Sequence, residues 1–168
     1  MEHVIEDLVD IYSERLLRYA TSILYNYQDA EDVMQDVFMS AYQNLATFDG
    51  GNVSAWLYKI TYNKCMNKIR TRKILPFGEL PINMPFISQN NELSDETLQA
   101  LGRLKPQERA LLYSRIIEEY NFEELSLQMN ASSATLRKRY ERAKKKLAAI
   151  LNQTHPNFNL EQEGVVYE

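Results

Sequence analysis

Apolar residues recur along this chain at helical spacing, and no segment alternates convincingly at strand spacing. Between residues 3 and 25, Ile5, Leu8, Val9, Tyr12, Leu16, Tyr19 and Ile23 share one helical face. A second helix is expected over DAEDVMQDVFMSAYQNLA, with Val33, Val37, Ala41 and Leu45 in one stripe and Phe38 beside it. Asp29 is expected to cap it, and Asp29, Glu31 and Asp32 in the first turn suit the positive end of the helix. Asp49-Gly50-Gly51-Asn52 reads as a turn, and a third helix is expected from about Val53 to Arg72.

Pro76, Gly78, Pro81 and Pro85 then fall within ten residues, followed by Asn90 and Asn91. Proline removes a backbone donor and restrains its predecessor, so no helix is expected to cross 76–93. Beyond it, Ser94 is placed to cap a short helix containing Leu98 and Leu101, and Pro106 fits the first turn of KPQERALLYSRIIEEY. Asn121, with Glu124 three residues later, has the spacing of a capping box for FEELSLQM. A polar turn, Asn130-Ala131-Ser132, precedes a final helix of about 133–151. The pattern predicts an all-α fold of two small helical domains, 1–75 and 94–152, joined by a proline-containing linker at 76–93. An acidic tail, 153–168, is expected to be disordered.

Charge sharpens this picture. The chain of 168 residues carries a formal net charge of −4, which by itself argues against a nucleic-acid binder. Its distribution argues the other way. Residues 1–50 hold 10 acids and 2 bases, 51–75 hold 6 bases and no acid, and 132–152 hold 7 bases and 1 acid. Two strongly basic segments are averaged with an acidic head.

The second basic segment carries the clearer signal. A short helix, a tight turn and a longer basic helix form a helix-turn-helix pattern. Leu136, Tyr140, Ala143 and Leu147, spaced 4-3-4, make an apolar back expected to pack on Leu125 and Met129. At 100° per residue the opposite face carries Ala134, Arg137, Lys138, Glu141, Arg142 and Lys145. Ser133, Ala134, Arg137 and Lys138 are placed to reach base edges in a major groove, whereas Arg142, Lys144, Lys145 and Lys146 suit phosphates.

In the first basic segment, Lys59, Asn63, Asn67 and Arg70 recur at 4-4-3 and form a polar, basic stripe with Trp56 at its edge. Cations that track phosphates beside a ring that stacks on a base suit single-stranded nucleic acid. On the acidic helix, Glu31, Asp32, Gln35, Asp36 and Met39 make a mixed acidic and apolar surface suited to a basic protein partner.

DAEDVMQDVF, SAWLYKITYNKCMNKIR and the run from Leu101 to Leu147, in this order and separation, closely resemble the extracytoplasmic-function (group IV) sigma factors of bacterial RNA polymerase. The resemblance covers about 10–75 and 94–151, with no room for the middle domain of the larger sigma factors. It implies a subunit that binds core polymerase, recognises the −10 and −35 promoter elements and directs initiation, without catalysis of its own. It implies that Asp29, Glu31, Asp32, Gln35, Asp36 and Phe38 engage the β′ coiled coil, and that the second domain meets the β flap. It places Trp56, Lys59, Asn63, Asn67 and Arg70 at the melting −10 element. The loop Phe48 to Val53, with Asp49 and Asn52, corresponds to the family's loop for a flipped base. Ser133, Ala134, Arg137, Lys138, Arg142 and Lys145 would read duplex DNA at −35. An anti-sigma factor is implied as a further partner, and the linker would run through the RNA exit region.

Three features depart from the family pattern. Asn130 stands where the turn usually has glycine, Asn67 replaces a usual acid, and Thr135-Leu136-Arg137-Lys138 replaces the usual Thr-Val-Lys-Ser.

A different reading of the same residues is a two-domain helix-turn-helix regulator that binds duplex DNA without polymerase, which leaves Trp56 without a DNA role. A pure interaction protein is disfavoured by the basic helix. No enzyme is indicated: His3 and His155 are isolated, Cys65 has no evident partner, and no glycine-rich phosphate loop occurs. A single cysteine excludes an internal disulfide and a cysteine-based zinc site. No cofactor or metal is called for. The start of the chain lacks the basic and apolar runs of a secretory signal, and no apolar stretch approaches the ~20 residues of a bilayer span. A cytoplasmic protein with no membrane contact of its own is expected.

Overall fold

Strong helix formers with few glycines give long helices, and their ends are set by identifiable caps. The computed structural model describes residues 2–74 and 95–154. They form α1 (Glu2–Leu24), α2 (Tyr27–Asn44) with a 3₁₀ turn at Leu45–Thr47, α3 (Val53–Ile74), α4 (Asp95–Gly102), α5 (Pro106–Ile116), α6 (Phe122–Met129) and α7 (Ser133–Thr154). No strand occurs among the described residues, so the all-α expectation holds. The linker at 76–93, the cap at Ser94 and most of the tail lie outside the described residues. Gln153 and Thr154, assigned to the tail by pattern, belong to α7.

Helix α2 starts earlier than its sequence suggests. Its cap is Asn26, whose side chain accepts a hydrogen bond from the Asp29 amide at 3.0 Å. Asn and Asp are equally good caps, and Asp29 is taken up elsewhere by Arg72 and Lys68. The capping box at α6 forms as expected, the Asn121 amide donating to Glu124 at 2.8 Å and the Glu124 amide donating to Asn121 at 2.9 Å. Asn130 takes the left-handed conformation (φ 51°, ψ 42°) that turns the chain into α7.

Helix α5 stops at Ile116 rather than running on toward Tyr120. The Glu118 amide returns to the Tyr113 carbonyl and the Tyr120 amide to that of Ser114, which closes the end of the helix. Its left-handed position is Glu119, at φ 57°. A side chain there costs about 1–2 kcal/mol that glycine avoids, less the extra entropy glycine loses on folding. Glu119→Gly is therefore expected to stabilise the fold by about 0.5–1 kcal/mol, read as a melting temperature a few degrees higher. An unchanged or lower value would show that the Glu119 side chain repays its strain.

Helices α1–α3 form one unit and α4–α7 another, and the two are packed on each other. Helix α5 lies on α1 and α6 lies on α3, so a continuous core runs from Leu16, Ile23, Val37 and Leu57 through to Leu112, Leu125, Leu136 and Leu151. Tyr19 and Tyr58 of the first unit meet Tyr113 and Tyr120 of the second, with ring centroids 5.8 Å and 5.4 Å apart.

Candidate nucleic-acid and polymerase interfaces

Helix α7 owes its orientation to its apolar back. Leu136, Tyr140, Ala143 and Leu147 are all buried, and α7 packs on α5 and α6. That burial turns Ala134, Arg137, Lys138, Glu141, Arg142 and Lys145 outward, and every one of them is exposed. Ser132 caps the helix, accepting from the Thr135 amide at 3.2 Å, and leaves Ser133 half-buried at its start. The Arg137 guanidinium lies over the Phe122 ring, 4.9 Å from its centroid. The Arg142 Nε–H points back to the Lys138 carbonyl at 3.4 Å.

Two lysines proposed for phosphates from their spacing are engaged within the chain. Lys146 pairs with Glu108 at 3.0 Å, and Lys144 pairs with Glu141 at 3.3 Å while lying over the Tyr140 ring. The Lys146 ammonium and the Lys105 amide hold the Glu108 carboxyl below its ordinary pKa, against the upward push of burial. Lys145 and Arg142 keep the exposed front of the helix.

Helix α3 presents its stripe along one side. Lys59, Asn67 and Arg70 are exposed and Asn63 is half-buried. Arg70 donates to the Asn67 side chain at 3.0 Å. Trp56 is partly buried, its indole stacked on Phe48 with centroids 4.5 Å apart and planes inclined by 25°. The Phe48 contact has no periodic signature, since Phe48 lies in the connection before α3. Asp49 and Asn52 shape that connection: Asp49 accepts from the Gly51 amide at 2.9 Å, and Asn52 caps α3 by accepting from the Ala55 amide at 3.0 Å. Gly50 takes φ 77°, which favours glycine.

Helix α2 buries Ala30, Val33, Met34, Val37 and Ala41, with Phe38 packed at the edge of the core. Its outer face exposes Glu31, Asp32, Gln35 and Asp36, followed by Met39 and Tyr42, which are 59% and 44% accessible. Asp29 is set apart from this face. It forms an ion pair with Arg72 and lies 3.6 Å from the Lys68 ammonium, which Asp32 also approaches at 3.6 Å. These pairs tie the start of α2 to the end of α3.

The molecule thus carries an acidic and apolar face on α2, a basic stripe with an aromatic platform on α3, and a basic front on α7. Among the described residues, no group of three or more His, Cys, Asp or Glu is arranged to hold a metal ion. No described helix is long and apolar enough to cross a membrane.

Residues 8–74 match the family model for sigma-70 region 2, and residues 94–147 match that for sigma-70 region 4. The RNA polymerase sigma factor YlaC of Bacillus subtilis is 30% identical over 133 residues, covering 73% of this chain and 77% of YlaC. The ECF RNA polymerase sigma factor SigE of Mycolicibacterium smegmatis is 26% identical over 156 residues, covering 87% of this chain but 61% of SigE. Among solved structures, the sigma factor RpoE in complex with the anti-sigma factor NepR, from Bartonella quintana, shares the fold. Its TM-score is 0.74 at 22% identity, covering 90% of this chain and 98% of that one. Two region models in register and a relative matched over most of its length leave one assignment: the chain belongs to the sigma-70 family, as an extracytoplasmic-function sigma factor of bacterial RNA polymerase.

Proposed function

We propose that this sigma factor divides its work among the three surfaces just described. Glu31, Asp32, Gln35, Asp36 and Phe38 of α2 dock on the β′ coiled coil of core polymerase, with Asp29 holding the helix in register through Arg72. The second domain meets the β flap. Lys59, Asn63, Asn67 and Arg70 follow the backbone of the melted −10 strand, Trp56 offers a stacking face, and Asp49 and Asn52 frame a pocket for an extruded base. Ser133, Ala134, Arg137 and Lys138 read the −35 duplex, and Arg142 and Lys145 hold its phosphates.

The observation that carries this reading is the outward basic front of α7, set by an apolar back that is wholly buried. Catalysis belongs to the polymerase; the chain contributes binding energy, opening DNA by trapping unstacked bases. A cytoplasmic protein with no membrane contact of its own follows from that partnership. An anti-sigma factor that covers the polymerase-facing surfaces is the natural regulator; the fold neighbour RpoE is itself in complex with the anti-sigma factor NepR.

Trp56 gives the sharpest local test. Base–aromatic stacking is worth about 1–3 kcal/mol, so Trp56→Ala is expected to reduce open-complex formation roughly 5- to 150-fold. Closed-complex binding should change little. Permanganate reactivity of −10 thymines in the holoenzyme measures this directly. Unchanged reactivity would remove Trp56 from the melting step and favour a regulator that reads duplex DNA alone.

A further inference from the structure

Beside α7 lies a cleft that the promoter reading leaves unused. It holds about 390 Å³, within the ~300–1,000 Å³ of small-molecule sites. Its floor is apolar. Leu111 of α5, Met129 of α6 and Leu136 of α7 are buried there, with the buried Tyr62 of α3 as an aromatic wall. Its rim is polar, with Lys105 and Gln107 at the start of α5 and Arg139 and Arg142 on α7.

The rim is positive as well as polar. Lys105, Arg139 and Arg142 line the cleft against one carboxylate, that of Glu108. That carboxylate is already engaged: it accepts from the Lys105 amide at 2.8 Å and pairs at 3.0 Å with Lys146, a cation outside the lining. The charge of the three lining cations is therefore left for a ligand.

Arg139 is the cation of α7 that the DNA reading does not use. It is exposed, but at 100° per residue it lies about 60° from Leu136, on the flank of the helix rather than on its DNA front. Burial raises the Tyr62 phenol above its ordinary pKa and the Arg139 charge partly offsets this, so guanidinium and ring share the cleft. Arg142 follows three residues later, a neighbour on the helix surface, so both guanidinium groups border one opening.

The opposite wall is fixed. Arg109, 8% accessible, donates to the Ser22 carbonyl at 2.8 Å and to the Ile23 carbonyl, which seats the start of α5 on the end of α1. Pro106 in the first turn and the capping contact of Lys105 with Glu108 stiffen the same segment. The cleft is preformed, and helices carry its cations.

We propose that this cleft binds a nucleoside di- or triphosphate, with its ring over the apolar floor beside Tyr62, its phosphates among Lys105, Arg139 and Arg142, and DNA as its competitor for Arg142. The division of the lining sets the ligand class. Inorganic phosphate leaves the apolar floor in water, and a purely apolar ligand takes water from three cations without returning a charge. Guanidinium groups bind phosphate oxygens in bidentate geometry, and three cations suit a polyphosphate better than a single phosphate. Gln107 adds an amide that can donate to and accept from a base edge. The competition, unlike the site, rests on the sigma-factor reading, in which Arg142 holds a −35 phosphate. A bound nucleotide takes that contact and leaves Arg137 and Lys138 in place.

Calorimetric titration of the full chain with ADP, beside adenosine and pyrophosphate as its separate halves, tests the site. ADP should bind about tenfold or more tightly than either half, because only ADP meets both floor and rim. Lys105→Ala with Arg139→Ala should weaken ADP about tenfold or more, since hydrogen bonds to charged groups are lost. Both side chains are exposed, so the fold should hold. Gln107→Trp fills the cleft from its exposed rim with every cation kept, and should erase the advantage of ADP over pyrophosphate. It decides alone if the double variant fails to fold. No ADP binding, ADP no tighter than pyrophosphate, or wild-type ADP affinity in the folded variants would overturn the site.

Fluorescence anisotropy of a labelled duplex at low salt tests the competition. ADP should weaken duplex binding by the wild type severalfold and leave that of Lys105→Ala with Arg139→Ala unchanged at the same ionic strength. Equal weakening in both proteins, or no duplex binding, would overturn the competition. Failure of the sigma-factor reading looks different: ADP binding that is lost in the variants, in a chain that does not bind core polymerase, would keep the site and reject that reading.

Discussion

Arg137→Ala combined with Lys138→Ala is expected to lower initiation about a hundredfold at a promoter whose −35 element is intact. Each good contact to a base edge carries about 1–3 kcal/mol, and both side chains lie on the exposed front of α7. Arg137 first has to leave the face of Phe122, where it lies 4.9 Å from the ring centroid; that contact is worth about 0.5–1 kcal/mol at an exposed site. Stability should hold, because the buried back of Leu136, Tyr140, Ala143 and Leu147 is untouched. The signature is that the loss vanishes when the −35 sequence is scrambled. Arg142→Ala with Lys145→Ala is the contrasting pair. Neutralising two phosphate contacts should weaken binding to every sequence alike and flatten the slope of log affinity against log salt by about 1.8. Transcript yields over a salt series on intact and scrambled promoters separate the two patterns. A loss at Arg137 and Lys138 that ignores the −35 sequence would move base reading to other residues.

Reversing charge on α2 is expected to have a comparable effect one step earlier. Glu31→Lys with Asp36→Lys should weaken core polymerase binding about a hundredfold or more, since like charges brought together at an interface cost several kcal/mol. Both carboxylates are exposed, so the free protein should melt as wild type does. Asp29→Asn is the informative control. It breaks the pairs with Arg72 and Lys68 that join α2 to α3, so its main effect should be a lower melting temperature, with polymerase affinity following only as far as the fold does. Pull-down or fluorescence titration with core polymerase, beside thermal melts, reads both variants. Wild-type affinity in the double lysine variant would place the docking surface elsewhere.

Most of the helices and two of the three surfaces were legible in the sequence because they rest on local physics. The 4-3-4 spacing from Leu136 to Leu147 fixes which side of α7 is buried, and that alone turns Arg137, Lys138 and Arg142 outward. The Asn121 and Glu124 pair is a cap written within four residues. Features that depend on distant partners left no such trace. Asn26 rather than Asp29 caps α2 because Asp29 is drawn to Arg72, 43 positions along the chain. Lys146, which reads as a phosphate ligand by its spacing, is held by Glu108. Arg109 looks like an ordinary residue of an exposed helix until α5 is seated on the end of α1. Glu119 gives no hint of a left-handed turn, since glycine or asparagine is the usual marker there.

The aromatic platform was half visible. The spacing places Trp56 at the edge of the polar stripe, but only the folded loop brings Phe48 onto its face. The free protein therefore presents a ring already covered on one side by Phe48.

The central claim, that this chain confers promoter specificity on core RNA polymerase, is tested most directly by reconstituted transcription. Purified protein added to core polymerase and a library of genomic DNA fragments should yield transcripts with discrete start sites, each preceded by a shared pair of elements at −10 and −35. Core polymerase alone should yield none of them. Identical start sites with and without the protein, or no stable complex with core polymerase at low salt, would contradict it.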